Sequence, residues 1–579
     1  MDLSYLADLG IQMLFIVALT AALNLLMGTA GQMSMATAGF YAFGAYAYSM
    51  TAGSGESLLG TPIVGLSWPP LVAVLIAGVV TGLAGALISL PVIRRIKGDY
   101  IVLLTLAFFY LVLSSIGSFP AITGGTTGTV VPPIEIGDLN GSDPEIAFIP
   151  VLVIVGLVIL LCSVLARSPF GRVLRGMRDD DGVLESLGRY TGRKKIVTFA
   201  LTSAIMGVVG AISASYFQFV APTSYTFDLS VLVAAAVALG GPGNILGGTV
   251  AAIAISSITP LLQNVAGMTS DAAAPWRGVI YGALLIVGIR FRPRGLFPER
   301  MPRVRPDASE LDSRIDDTLK RSRDGSAPDP ILTVRGLSKR FAGLKAVSDV
   351  SFDLHAGQVV ALIGPNGAGK TTIFNMLTGV LKADEGEVTL RGAPITGLAP
   401  QRIVDLGVGR YFQSVRLFPS LTAYENVALG LPVSVGESAT QVVLRPLRTR
   451  RTEKARQRRA RELLRDVGVE ELLSQPVTSM SYGDQKVVAL ARLLATDCEV
   501  LLLDEPTSGV DPKSTERLIK LVRNVANAGK AICLVEHSAH VVSSLSDQVV
   551  FLEQGSVIAT GTIDELMAQA DLVERYFGS

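Results

Sequence analysis

The chain has 579 residues, room for three or four domains of about 150 residues each, and is 49% hydrophobic and 17% charged. Its 50 Lys and Arg against 49 Asp and Glu leave a net charge of +1, without the net basic domain that marks a nucleic-acid binder. Three cysteines (Cys162, Cys498, Cys533) lack metal-ligand spacing and exclude a disulfide framework, and three histidines (His355, His537, His540) exclude a His-rich metal centre.

The averages conceal a division. The first 300 residues hold 31 charged side chains and the remaining 279 hold 68. A bilayer core of roughly 30 Å needs about 20 mostly apolar residues per helix. Stretches that meet this lie near 9–27, 35–52, 70–92, 100–118, 147–166, 196–220 and 277–291. The N-terminus, Met1-Asp2, lacks the basic region of a secretory signal, so the first span is expected to be retained. Asn24, inside an apolar run, is read as interhelical glue, with a role in a transport path as the other reading. Gly and Ala spaced through 78–86 let helices approach closely.

Lys and Arg collect in cytoplasmic loops. Eight fall within 167–195 (Arg167, Arg172, Arg175, Arg178, Arg189, Arg193, Lys194, Lys195), while 53–69 and 119–146 contain none. Alternating the spans places every basic set inside, with the N-terminus outside and the C-terminal half in the cytoplasm. The apolar stretch 229–264, broken by Gly240-Gly241-Pro242-Gly243-Asn244, must then enter and return, as two short spans or a re-entrant hairpin. Irregular backbone at that depth needs protein or a water-filled cavity around it. It reads equally as a kink between packed helices or as part of a transport path. The loop that opens Ser168-Pro169-Phe170-Gly171-Arg172 continues as a helical stretch through Arg175, Asp179 and Leu187 to Gly188. That helix is expected to receive the push of a motor domain and to sit near Gln413.

From 299 to 330 the composition is that of a tether, rich in Pro, Asp, Arg and Ser. A buried strand, Gln358–Ile363, then leads into Gly364-Pro365-Asn366-Gly367-Ala368-Gly369-Lys370-Thr371-Thr372, the pattern G-x-x-x-x-G-K-[ST], and a helix. Glycines let backbone N–H groups curl round phosphates, and the helix N-terminus adds a favourable dipole. Lys370 is expected at the β/γ-phosphates and Thr371 on Mg²⁺. A second apolar strand, Val500–Leu503, delivers Asp504 for Mg²⁺ and Glu505 to orient the attacking water. An arginine run in 440–466 (Arg445, Arg448, Arg450, Arg451, Arg456, Arg458, Arg459, Arg461) reads as a solvated face, against contact with lipid or nucleic acid.

Between the two phosphate elements, Ser479-Met480-Ser481-Tyr482-Gly483-Asp484-Gln485 resembles the signature loop of ABC transporter ATPases, departing from it at Met480, Tyr482 and Asp484. The resemblance implies that Ser481 and Gly483, with Gln485 beside them, face the γ-phosphate bound by an opposite subunit. It also implies that Phe341 stacks on adenine, that Gln413 is the Q-loop glutamine and a Mg²⁺ ligand, that Ser508–Asp511 is the D-loop and that His537 is the switch histidine. The ATPase half is similar to the first ATPase subunit of branched-chain amino acid ABC importers. The membrane half resembles their permease through Asn24-Leu25-Leu26-Met27-Gly28-Thr29-Ala30-Gly31-Gln32-Met33-Ser34, Gly98-Asp99-Tyr100, Ser168–Arg172 and Leu239–Asn244.

The expected architecture is an α-helical polytopic membrane domain (1–298), a linker (299–330) and an α/β P-loop ABC ATPase domain with a helical subdomain (331–579). The family implies ATP and Mg²⁺ as ligands and a multi-pass protein in the cytoplasmic membrane, its ATPase in the cytoplasm. It implies an extracytoplasmic substrate-binding protein and no nucleic acid. A second permease and a second ATPase complete the importer, a heteromer being favoured over a homodimer. Branched-chain or other hydrophobic amino acids lead as cargo; urea, short amides, aromatic acids, an exporter and an ATP-gated regulator or channel are the alternatives.

Overall fold

A computed structural model describes residues 3–53, 64–94, 100–136, 139–264, 267–299 and 329–569. The linker expected over 299–330 therefore lies almost wholly outside the described residues. Contacts divide the chain into two compact units. One comprises Met1–Arg178, Thr191–Arg300 and Gly436–Pro446; the other comprises Asp179–Tyr190, Met301–Val435 and Leu447–Ser579.

The first unit is helical because its long apolar runs can satisfy every backbone group only within their own helices. Its helices are α1 (Leu3–Leu23), α2 (Thr37–Ala52), α3 (Pro70–Arg94), α4 (Tyr100–Ser118), α5 (Pro144–Arg167), α6 (Pro169–Asp179), α7 (Thr191–Phe217), α8 (Phe227–Gly240), α9 (Ile245–Ser256) and α10 (Ser270–Phe291). Among the described residues, seven segments are long and apolar enough to cross a membrane: Leu3–Thr29, Pro70–Pro91, Tyr100–Ser118, Pro144–Arg167, Thr191–Phe217, Pro222–Gly240 and Ile245–Asn264. This set differs from the sequence reading in three ways: it lacks 35–52, lacks 277–291 and gains two helices within 222–264. α2 has 16 residues, about 24 Å at 1.5 Å per residue, and is wrapped by its neighbours along most of its length. The stretch 229–264 forms two helices of spanning length on either side of the glycine turn, one of the two forms the sequence reading left open, while the span expected at 277–291 is represented by a shorter apolar helix, Pro275–Gly288.

Small residues decide the packing of α3 on α7. A Cβ on Gly85 would fall 1.9 Å from the Ser203 hydroxyl, and one on Gly82 would lie 3.0 Å from the Ala200 carbonyl. Such close backbones are the means by which helices associate where no hydrophobic effect drives them. Asn24, fully buried, opens a π-helical turn, Asn24–Thr29. Its Nδ2 donates to the Asn244 carbonyl at 2.8 Å and its Oδ1 accepts from the Gly243 N–H at 2.8 Å. Asn244 in turn donates to the Phe297 carbonyl at 3.0 Å. The turn is pinned from both sides, as interhelical glue requires.

The second unit is built on two sheets. A six-stranded sheet runs β5-β6-β7-β3-β8-β9, with β3 (Val359–Ile363), β5 (Val408–Tyr411), β6 (Val500–Asp504), β7 (Ala531–Val535), β8 (Gln548–Glu553) and β9 (Ser556–Gly561), parallel except at β8–β9. An antiparallel sheet holds β1 (Leu332–Phe341), β2 (Leu344–Leu354) and β4 (Glu385–Leu390), with the short strand Ala393–Pro394 beyond β4. The parallel strands β3, β6 and β7 are buried at every position, the pattern of a sheet covered on both faces. Around them stand α11 (Lys370–Leu377), α12 (Ala423–Gly430), α13 (Pro446–Asp466), α14 (Tyr482–Leu494) and α15 (Pro512–Asn527).

The segment Asp179–Tyr190 belongs to this second unit. The helical stretch read through 172–188 is broken at Asp180, which caps the short helix Asp181–Glu185 by accepting from the Val183 N–H. Asp180 pairs with Arg416 at 2.7 Å, and Asp179 Oδ2 accepts from the Ser420 N–H at 2.9 Å and its hydroxyl at 2.6 Å. Arg189 donates to the Leu431 carbonyl at 2.6 Å. Arg416 lies three residues past Gln413 in the sequence; of the stretch 172–188, only the part from Asp179 onward belongs to the same unit as Gln413.

The arginine run departs from a purely solvated face. Arg445, Arg448, Arg450, Arg451 and Arg458 are exposed, whereas Arg456 is buried and its guanidinium donates to the Ala428 carbonyl at 2.6 Å and to that of Pro432. Arg459 and Arg461 pair with Glu462 and Glu470.

Candidate nucleotide site

In-register parallel pairing brings three loops to one sheet edge. Asp504 stands opposite Val535, and Val535 opposite Leu362, so the residues that follow β6, β7 and β3 emerge together at the carboxyl ends of the strands. This is where open α/β sheets hold ligands. The loop 364–369 takes positive φ at Gly364, Gly367 and Gly369 (148°, 84°, 97°), values favoured by glycine. A Cβ on Gly367 would meet nothing within 4 Å, so the outer curve of the loop is open. Pro365, Asn366 and Thr371 are exposed beside it, Ala368 is buried and Thr372 half-buried. α11 starts at Lys370, and the N–H groups of a first helical turn have no partners within the helix. Lys370 folds back so that Nζ donates to the carbonyls of Gly364 at 2.6 Å and Pro365 at 3.0 Å. Burial pushes its ammonium pKa down, opposed by the carboxylates of Glu505 and Asp504. Converging N–H groups and one ammonium suit a polyanion such as a nucleotide triphosphate.

Glu505 is the hub. Its Oε2 accepts from Gln413 Nε2 at 2.9 Å and its Oε1 lies 3.1 Å from His537 Nε2. Its φ is +46°, a left-handed conformation that a side chain adopts at a cost and that gathers at working sites. Lys486, fully buried, holds the backbone on both sides: Nζ donates to the Glu505 carbonyl at 2.9 Å and the Gln413 carbonyl at 3.2 Å. Burial lowers the Lys486 pKa, against the pull of Glu536, Glu505 and Asp504.

Asp504 is engaged differently from the expectation of a metal ligand alone. Arg410, from β5, pairs with its Oδ2 at 3.0 Å and donates to Asn375 Oδ1 at 2.6 Å. Both side chains of the pair are more than nine-tenths buried. Burial pushes the Asp504 carboxyl up and Arg410 opposes it. The hydroxyl of Thr371, the amide oxygen of Gln413 and the carboxylate of Asp504 are hard oxygen donors of the kind Mg²⁺ takes.

The structure thus joins Gln413, Glu505 and His537 directly. The remaining sequence-derived positions stand apart. Phe341 ends β1, 45% exposed, with the Lys339 ammonium 5.7 Å from its ring centre. Ser481 caps α14: its hydroxyl accepts from the Asp484 N–H at 3.1 Å and donates to Asp484 Oδ2 at 2.6 Å. Gly483 abuts Ser514, and Gln485 donates to the Met480 carbonyl at 3.1 Å. Three residues escaped the sequence reading. Arg410 could have been noticed as a lone charge in the strand Val408-Gly409-Arg410-Tyr411, and Lys486 as a lysine leading an apolar helix face. Glu536, whose Oε1 accepts from the Thr507 N–H at 2.9 Å and hydroxyl at 2.7 Å, ties the loop after β6 to the end of β7.

Two family models match the chain. Residues 6–289 match the branched-chain amino acid transport system permease component, and residues 347–508 match the ABC transporter family. The high-affinity branched-chain amino acid transport ATP-binding protein LivG of Salmonella typhimurium is 38% identical over 250 residues, 43% of this chain and 98% of that protein. LivG of Escherichia coli K12 is 37% identical and BraF of Pseudomonas aeruginosa 36%, over the same shares. A nucleotide-free ATP-binding cassette from an ABC transporter has 29% identity and a TM-score of 0.38, covering 43% of this chain and all of that one. The chain belongs to the ABC transporters of the branched-chain amino acid type, with a permease component and an ATP-binding component in one polypeptide.

Proposed function

We propose that the chain is half of an ATP-driven importer for branched-chain or other small hydrophobic amino acids. The observation that carries the mechanism is the convergence of Gln413 and His537 on Glu505 beside the phosphate loop. On ATP binding Lys370 exchanges the carbonyls of Gly364 and Pro365 for β/γ-phosphate oxygens. Gln413 and His537 hold the Glu505 carboxylate, which orients and polarises the attacking water. Thr371, Gln413 and Asp504 would hold Mg²⁺, which would supply charge neutralisation at the phosphates. Phe341 stacks on the adenine.

Ser481 and Gly483 complete the site of a facing ATPase, so one chain does not close a site by itself. A heteromer with a second permease–ATPase pair fits this need, and an extracytoplasmic binding protein delivers the cargo. The segment Asp179–Tyr190 carries the stroke, since its acidic start is bonded to Arg416 and Ser420 just beyond Gln413. The test is ATP-dependent uptake of labelled leucine by proteoliposomes containing the chain, the neighbouring permease and ATPase gene products and the binding protein. Saturable leucine uptake that needs both ATP and the binding protein is expected. Uptake of urea or an aromatic acid in place of leucine would overturn the cargo, and outward pumping would overturn the direction.

A further inference from the structure

We infer that Lys486 is a positioning residue for ATP hydrolysis: its single ammonium holds the backbones of Gln413 and Glu505, so that the amide and the carboxylate they carry stay in register. The inference rests on the proposed role of Glu505 as the carboxylate that polarises the attacking water. The two side chains come from separate loops. β5 and β6 pair in register as far as Tyr411 and Leu503, and Gln413 and Glu505 both lie beyond the ends of their strands. The 2.9 Å contact between Gln413 Nε2 and Glu505 Oε2 is itself exposed, where water competes for both partners. Its alignment therefore depends on what fixes the two backbones from behind.

Lys486 is fully buried on α14, and its Nζ spends its hydrogen bonds on two carbonyls, Glu505 at 2.9 Å and Gln413 at 3.2 Å. A buried ammonium is costly. A Met or Leu at this position would pack the same core without that cost, so packing does not account for a lysine. Bonds from a charged donor are about twice as strong as neutral ones, and Glu505 needs such a hold. Its φ of +46° is a conformation that persists only where the surroundings fix it. The ammonium is itself confined. The ring centres of Tyr411 and Tyr482 lie 5.7 and 5.6 Å from Nζ, within the range of cation–π attraction, and the Tyr411 hydroxyl donates to the Lys486 carbonyl at 3.2 Å. The same helix ties the loop a second time, for Arg492, also buried, donates to the Arg416 carbonyl at 2.7 Å. Lys486 and Arg492 are six residues apart on α14, about 9 Å along the axis at 1.5 Å per residue. The helix is thus a bar to which the loop 413–416 is fastened at both ends.

The experiment uses the full chain in nanodiscs with the neighbouring permease and ATPase gene products and the binding protein. Radiolabelled 8-azido-ATP is hydrolysed, trapped as the diphosphate with vanadate and photocrosslinked, and the chains are separated on a gel, so that label on this chain reports its own site. Crosslinking on ice without vanadate reads ATP binding. Lys486→Met should slow trapping by about 10²-fold, the effect of a misplacement of about 1 Å, with half-saturation for ATP binding unchanged. Lys486→Gln, which keeps an amide donor, should slow it less and serves if the Met variant does not fold. Leu490→Ala, a truncation in the buried part of the same helix, controls for stability: it should lower the melting temperature without slowing trapping. Trapping at the wild-type rate in both Lys486 variants, with Glu505→Gln inactive, would overturn the positioning role and leave that of Glu505 standing. Equal slowing by Leu490→Ala, or weakened ATP binding with bound ATP hydrolysed at the normal rate, would overturn it as well. Undiminished trapping in Glu505→Gln would instead overturn the reading of the carboxylate on which the inference rests.

Discussion

The two units treat buried charge in opposite ways. In the ATPase unit Lys370, Arg410, Lys486, Arg492, Asp504 and Glu536 are buried within or close behind one edge of a sheet. In the membrane unit no charged side chain is buried within a helix of spanning length among the described residues, and the interior polar groups are neutral, such as Asn24, Thr20 and Ser203. Charge in a low-dielectric interior is expensive unless paired, so it is kept where a charged substrate must be held and split. A unit that moves helices past one another uses small residues and hydroxyls bonded to the preceding turn, as Ser203 is to the Phe199 carbonyl at 2.6 Å.

The sharpest way to break this contrast is to remove charge at the hub. Glu505→Gln should reduce phosphate release by about 10²–10⁴-fold, with nucleotide binding, read by a fluorescent ATP analogue, retained. Turnover near the wild-type rate would show that the clustered charge is structural. Arg410→Met should strip Asp504 of its partner and destabilise the ATPase unit by about 3–5 kcal/mol, the usual effect of breaking a buried pair. Thermal melts should show that loss, and Mg²⁺ with nucleotide should recover more of it than in wild type if the cation takes over the vacated counter-charge.

The membrane unit should respond more mildly to an equivalent insult. Asn24→Leu strands the Gly243 N–H and the Asn244 carbonyl at about 1–3 kcal/mol each. The expected readout is a lowered melting temperature and impaired uptake with basal ATP hydrolysis preserved. Unchanged uptake would mean that the pinned turn does not move with transport. The smallest effect belongs to an exposed charge. Lys339 and the Arg340 N–H lower the pKa of Asp384 through bonds of 2.6 and 2.8 Å. A lowered carboxyl pKa contributes stability above the unfolded value of about 3.9 that is lost as pH falls through the folded one. Asp384→Asn should therefore narrow its small deficit only on the acid limb of a melting-temperature profile, converging with wild type at the lowest pH.

Patterns that are contiguous in sequence were legible from sequence. The phosphate loop and Asp504-Glu505 each sit in a short run whose residue types state the chemistry, whereas His537 was readable only through the family resemblance and its order relative to those runs, and β3 and β6 were evident as apolar runs. The loop around Ser481 was readable through its resemblance to the signature loop of the family. Links between distant runs were not readable. Asn24 meets Asn244 across 220 positions, and Arg410 meets Asp504 across 94; in each case one partner alone is an ordinary polar residue. The split at Asp180 escaped because a helical charge pattern continues through it, and only the cap bond to Val183 declares the break. The shortness of α2 escaped because its apolar run begins before the helix does.

The division of the chain has a consequence for its joining. Asp179–Tyr190, encoded in the permease half, folds with the ATPase unit, and Gly436–Pro446, encoded in the ATPase half, folds with the membrane unit. Each half of the sequence thus contributes a segment to the unit built mainly from the other half. The covalent join fixes stoichiometry at synthesis, one permease component to one ATP-binding component.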